Sequence, residues 1–181
     1  MNSDIRWGVP SDGHTFPIYA GPPTDMDRVG EFADERGVTN IHFGGDTWDL
    51  QANKGAKASA RTATGTWTAE AVDADKFARA KNYKVQADRH ELSIIAESKN
   101  NFVLDIEGQK AGQFTAENRG LRNLHVEFEG PGAKLPLDVQ IFVSWVARRC
   151  METRTVSSAW GWTLALLLCI PLIVLYWIGA I

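Results

Sequence analysis

Between Val38 and Glu129 the chain repeats one unit: a short run with apolar side chains at every second position, then a turn of Gly, Asn or Asp. "VTNIHF" precedes "GGD", "TWDLQA" precedes "NKG", "AKASARTA" runs into "TG", and "TWTAEAV" runs into "DADK". "FARA" and "YKVQA" flank "KN", "LSIIAE" precedes "SKNN", "FVLDI" and "AGQFTAE" flank "EGQK", and "NLHVEFE" closes the series. In the last of these, Leu124, Val126 and Phe128 share one face. Period two puts successive side chains on opposite faces of a strand. Short strands divided by such turns make an antiparallel meander. About nine strands are predicted on this pattern. That many successive hairpins must close on themselves or pack face to face to hide their edges.

A different pattern follows across "GPGAK". Leu135–Ala147 is apolar, broken by Asp138 and closed by Arg148 and Arg149. At about 100° per residue, Val139, Ile141, Phe142, Val143, Trp145 and Val146 spread nearly all round a helix. A helix apolar on every side is buried. Pro136 near its start is tolerated because first-turn N–H groups have no helical partner. The run is too short to span a bilayer. It is therefore read as a core helix over 135–149, with Val139, Phe142, Trp145 and Val146 as its buried side chains; a re-entrant or interfacial segment is the alternative. The predicted fold is mainly β: a small antiparallel β-barrel or strongly curved sheet around or against this helix.

The third feature is Thr155–Ile181, which holds no charged residue. A hydrocarbon core about 30 Å thick needs roughly 20 apolar helical residues, and 159–181 supplies them. Trp160 and Trp162 mark one end, Tyr176 and Trp177 the other, as interfacial rings do. Pro171 near the middle is tolerated in membrane helices. A single transmembrane helix is predicted here, joined by a juxtamembrane linker, 150–158. Arg148, Arg149 and Arg154 precede it and no charge follows. The positive-inside tendency then places the preceding domain on the cytoplasmic face of a plasma or inner membrane, with the chain tail-anchored. Those three arginines and the four rings form the predicted membrane-interface set. "MNSDIRWGVP" lacks the apolar core of a signal peptide. Cys150 and Cys169 make no disulfide framework, which agrees with a reducing compartment. Juxtamembrane Cys150 is read as an ordinary thiol, with acylation the alternative.

Residues 1–37 read as an N-terminal extension. "GVPSDGHTFPIYAGPPTD" is rich in Pro and Gly without a period. "TDMDRVGEFADERG" predicts a short helix over about 25–36, capped by Thr24 and stopped by Gly37, with Met26, Val29, Phe32 and Ala33 on one face.

Little in the chain argues for catalysis. His14, His42, His90 and His125 show no metal-ligand spacing. "DAD" at 73–75 lacks the Gly and closing Glu of a calcium loop. "HFGGDTW" is followed by a strand where a phosphate cradle needs a helix N-terminus. "DRHE" at 88–91 sits on an exposed turn, and no nucleophile elbow is present. No cofactor is implied. The net charge of −3 disfavours nucleic acid as a partner.

Two stretches carry a resemblance. "NNFVLDIEGQKAGQFTAENRG" is similar to the acidic-Gly hairpin, and "LPLDVQIFVSWVARR" to the central helix, of the tubby C-terminal superfamily, which includes LURP-one-related proteins and phospholipid scramblases. The resemblance covers about Trp48–Arg149. It implies a twelve-stranded barrel around the helix, where the pattern alone yields about nine strands. The calcium segment and cysteine-rich acylation segment of that family have no clear counterpart here. A pleckstrin-homology-like barrel with a capping helix is the rival. The expected function is a non-enzymatic module at the membrane that binds lipid headgroups, anionic ones among them, or a protein partner. The alternative acts through the tail helix, as a lipid-translocating protein or as an accessory subunit that associates with itself or another membrane protein.

Overall fold

The computed structural model describes residues 3–52, 55–98, 100–115 and 124–152. Twelve strands follow one another: β1 (Ser3–Trp7), β2 (Thr15–Gly21), β3 (Asp27–Glu35), β4 (Val38–Phe43), β5 (Asp46–Ala52), β6 (Lys57–Thr62), β7 (Gly65–Ala71), β8 (Asn82–Ala87), β9 (His90–Ala96), β10 (Asn101–Ile106), β11 (Gln109–Thr115) and β12 (His125–Phe128). Each pairs antiparallel with its neighbours in sequence, and β1 pairs with β12 to close the ring. The closing register runs from Ser3 opposite Phe128 to Arg6 opposite His125. Beside it, His125 Nε2 lies 2.7 Å from Oδ2 of the buried Asp4. Among the described residues, full closure leaves no edge strand open to another chain.

Inward positions alternate as a barrel wall requires. On β7 these are Trp67, Ala69 and Ala71; on β8, Tyr83, Val85 and Ala87. Small residues predominate on β6, β7 and β8, where Ala58, Ala60, Ala69, Ala71 and Ala87 are buried. The space they leave is taken by one helix, α1, which begins at 137 and is helical through 152. Ten consecutive residues, Val139 to Arg148, are each at most 6% exposed. Consecutive helical residues point in every direction, so this stretch lies inside the ring. Phe142 packs edge-on against Trp67 of β7, 5.6 Å between centroids. Ser144 Oγ accepts a hydrogen bond from Trp7 Nε1 at 3.0 Å and donates to the Ile141 carbonyl at 2.7 Å. Gln140, also buried, donates to the Leu135 carbonyl at 3.1 Å. A short 3-10 turn, Gly132–Lys134, leads into α1. A Cβ on Gly132 would stand 1.8 Å from the Ala111 carbonyl oxygen, so only glycine fits between this turn and β11.

The sheet differs from the sequence reading in one region above all. Residues 1–37 are not an extension: they supply β1, β2 and β3, the strands absent from the predicted nine. The helix predicted over 25–36 is strand β3, whose Phe32 points into the core at 5% exposure. Its hydrogen-bonding partners lie on β2 and β4, and that pairing overrides the helical spacing of Met26, Val29, Phe32 and Ala33. Gly30 stays a glycine there because a Cβ would meet the His42 carbonyl at 2.6 Å. "FARA" forms a 3-10 turn, Phe77–Arg79, held by Tyr83, whose hydroxyl donates to the carbonyls of Phe77 (2.6 Å) and Ala80 (3.0 Å). Among the described residues no helix is long and apolar enough to cross a membrane. The transmembrane helix assigned to 159–181 lies outside them.

Strand direction gives the barrel two ends. The connections 22–26, 44–45, 63–64, 88–89 and 107–108 cluster at one end, where α1 enters. The connections 8–14, 36–37 and 72–81 are at the other, toward which α1 leads out. Carboxylates hold two of the exit-end loops. Asp12 accepts the amides of His14 (2.8 Å) and Thr15 (2.6 Å), and Asp73 accepts those of Lys81 (3.0 Å) and Asn82 (3.2 Å).

Two measurements check this account. Truncating Trp145 to Ala inside the filled ring is expected to cost about 3–5 kcal/mol, seen as a large fall in melting temperature. An unchanged melting temperature would remove α1 from the core. The second concerns the Asp73 clamp. Desolvation raises the Asp73 pKa, but the Asn82 and Lys81 hydrogen bonds outweigh it and leave the carboxyl below its ordinary value of 3.8. The clamp therefore contributes fully above that value and is lost as pH falls through the lowered folded one. Protection of the Lys81 and Asn82 amides, taken relative to intrinsic exchange at the same pH, should fall on acidification, and the Asp73→Asn variant should show lower protection already at neutral pH.

Candidate functional site

Where α1 leads out of the barrel, a pocket of about 330 Å³ opens between the helix and strands β3, β4 and β5. The strands contribute Phe32, Asp34, Thr39 and Gln51 to its lining, and the helix contributes Trp145, Arg148, Arg149 and Glu152. The helical spacing explains why the last three act together. Residues three and four apart are neighbours on a helix, so one carboxylate serves two guanidinium groups. Arg148 Nε donates to Glu152 Oε1 at 2.8 Å, and Arg149 Nη1 donates to Oε2 at 3.0 Å.

Arg148 is the unusual member. Its side chain is 8% exposed. The guanidinium carbon stands 4.1 Å from the Phe16 ring centroid, 4.9 Å from Trp7 and 5.3 Å from Phe32. Three ring faces replace part of its hydration, each a cation–π contact of about 0.5–2 kcal/mol. Its Nη1 is buried and has no hydrogen-bond partner. A buried, incompletely paired charge is costly. A methionine of similar volume would fill the same apolar surroundings without that cost, so packing alone does not account for an arginine here.

The sequence assigned Arg148, Arg149 and Arg154 to one exposed basic cluster at the membrane interface. The structure separates the first two. Arg148 is enclosed against β1, β2 and β3, while Arg149 is 25% exposed at the side chain and borders the pocket. Arg154, Trp160, Trp162, Tyr176 and Trp177 lie outside the described residues. Val139, Phe142, Trp145 and Val146 are all within 1% of full burial. Cys150 is fully buried within the helical stretch rather than in a linker starting at 150. Burial withholds the acylation alternative its nucleophile.

The sequence reading missed Glu152, although its spacing from Arg148 and Arg149 is visible in the chain. It also missed the ring cage, which no local signal reveals, because Trp7, Phe16 and Phe32 reach Arg148 only through barrel closure.

The remaining polar candidates stand apart. His42 Nδ1 is 3.0 Å from Thr47 Oγ1 on the neighbouring strand, an ordinary surface pair. Asp46 and Asp138 border a smaller recess of about 160 Å³ at the opposite end. Each carboxylate already accepts a backbone amide, Asp46 from Thr47 and Ala63 and Asp138 from Val139. Among the described residues no group of three or more His, Cys, Asp or Glu could hold a metal ion.

If Arg148 is retained for the pocket rather than for stability, Arg148→Met should fold with an equal or higher melting temperature. Replacing a buried ionic group by an apolar one of similar size is often neutral or stabilising by about 1–4 kcal/mol where no partner charge is left unpaired, and Glu152 keeps Arg149 at 3.0 Å. Arg148→Ala should lower the melting temperature, because it also empties the ring cage. A marked loss in the methionine variant would make the arginine a structural element.

Searches of protein-family models, of curated proteins and of solved structures find no match to this chain.

Proposed function

We propose that this protein is a non-enzymatic, membrane-tethered barrel whose exit-end pocket receives an anionic lipid headgroup. The observation that carries the reading is Arg148: a caged charge with an unpartnered nitrogen, bordering an open pocket at the end from which the chain runs on toward the uncharged stretch 155–181. Arg149 adds a partly open second charge, and Thr39 and Gln51 add polar side chains to the wall. The barrel interior is taken by α1, so an acyl chain has no lumen to enter and recognition falls to the polar part of a lipid. Glu152 ties both arginines down and lowers the local positive charge, which suits a weak, exchangeable contact. A twelve-strand ring around an apolar helix is the architecture implied by the resemblance to the tubby C-terminal superfamily, and it supports proposing kinship with that group.

The test uses the full chain in nanodiscs of neutral lipid, titrated with glycerophosphoglycerol as a soluble headgroup probe. Saturable, salt-sensitive binding is expected. Arg149→Gln should weaken it about fivefold, which corresponds to about 1 kcal/mol for one arginine beside an anionic headgroup. Glu152→Gln removes a competing carboxylate and should strengthen it. Binding that is absent, or indifferent to both substitutions, would overturn the pocket assignment.

A further inference from the structure

The large apolar side chains that remain exposed among the described residues are Val9, Val38, Val72 and Ile95, at 59%, 61%, 66% and 37%. Single exposed valines are ordinary on any protein surface. Their distribution is not. Val9 lies in the connection after β1, Val38 opens β4, Val72 directly follows β7, and Ile95 is the penultimate residue of β9. By strand direction all four stand at the exit end, and none stands at the end where α1 enters. Around the ring they fall on strands two to four places apart, so they encircle the mouth rather than forming one patch. Two of the loops that present them are braced, the Val9 loop by Asp12 and the Val72 loop by Asp73. The 72–81 loop is further pinned by the buried Phe77 and the Tyr83 hydroxyl.

The same end carries the chain outward. Helix α1 is still helical at 152, the last described residue, and from Thr155 to Ile181 no residue is charged. From these placements we infer that the exit-end rim is a membrane-docking surface. Val9, Val38, Val72 and Ile95 rest in the interfacial layer of the bilayer that holds 159–181, and the opposite end faces away. The partner is the lipid surface itself. Few residues separate α1 from the uncharged run, so this rim is the part of the barrel held nearest the bilayer. A ring of spaced apolar contacts suits a flat, laterally fluid surface better than a protein groove, which would need one contiguous patch. Such a seat would also bring the Arg148 pocket to headgroup level. The inference rests on reading 159–181 as membrane-embedded, and it adds which end of the barrel touches lipid.

The experiment uses the full chain with Cys150 and Cys169 replaced by Ala, reconstituted in vesicles of phosphatidylcholine and phosphatidylglycerol. Single cysteines at Val9, Val38 and Val72 report on the rim; single cysteines at Thr64 and Glu107 report on the far end. Each carries an environment-sensitive fluorophore. Flotation with the vesicles after alkaline extraction tests the embedded tail separately. For a chain that floats, rim labels should shift to the blue, be quenched by nitroxide-headgroup lipids and resist aqueous iodide. Far-end labels should be quenched by iodide alone. Rim labels as open to iodide as the far-end ones would overturn the docking surface and leave the tail reading intact. Rim labels shielded from both quenchers would assign the rim to a protein or a second copy of the chain, and overturn lipid docking. A chain that fails to float would overturn the embedded tail, and the docking surface with it.

Discussion

The structure depends on the mutual burial of α1 and the closed sheet. A ring of twelve strands encloses more volume than its own inward side chains fill when many of them are alanines, as Ala58, Ala60, Ala69, Ala71 and Ala87 are. A helix apolar on every side has no stable place in water. Each component removes the other's defect. The helix supplies Phe142, Trp145 and Val146 to the vacancy, and the wall supplies Trp7, Trp67 and Phe32 around the helix. Native packing density leaves little slack in such a core, which is why Gly132 must stay small where the entering turn crosses β11.

Filling the barrel has a geometric consequence. Up-and-down barrels with an empty lumen can carry ligands inside; this one is filled by α1, and its pockets lie at the ends. The two ends are unequal. Short turns and the smaller recess lie at the entry end, whereas braced loops, exposed valines, the larger pocket and a caged arginine lie at the exit end. The caged arginine is the sharpest departure from packing logic. A charge held among Trp7, Phe16 and Phe32 with one nitrogen unpartnered breaks the rule that buried charges are fully paired, and that break is what the proposed headgroup pocket rests on.

The closing strand pair makes the first residues as important as the last. β1 joins β2 to β12, and Trp7 at its end reaches both Ser144 and Arg148. The N-terminal segment thus completes the wall, orients the helix and builds the pocket's inner side. A helix placed in this segment would leave β4 and β12 as open edges and Arg148 without its rings.

The sequence by itself determined the antiparallel meander from β4 to β12 and the burial of 139–146, because alternation at period two and apolarity all round a helix are local signals that need no partner to be read. It did not determine β1, β2 and β3. Pro17 within β2, Gly30 within β3 and the three-and-four spacing of Val29, Phe32 and Ala33 all argue locally against strands. Those residues become strands because the ring cannot close without them and because backbone pairing with β4 and β12 outweighs weak propensity. The site divides in the same way. The link from Arg148 and Arg149 to Glu152 was legible as helical spacing. The cage around Arg148, with rings more than a hundred residues away in the chain, was decided by barrel closure alone, since only a closed wall brings residues 7, 16 and 32 to the far end of the helix it encloses.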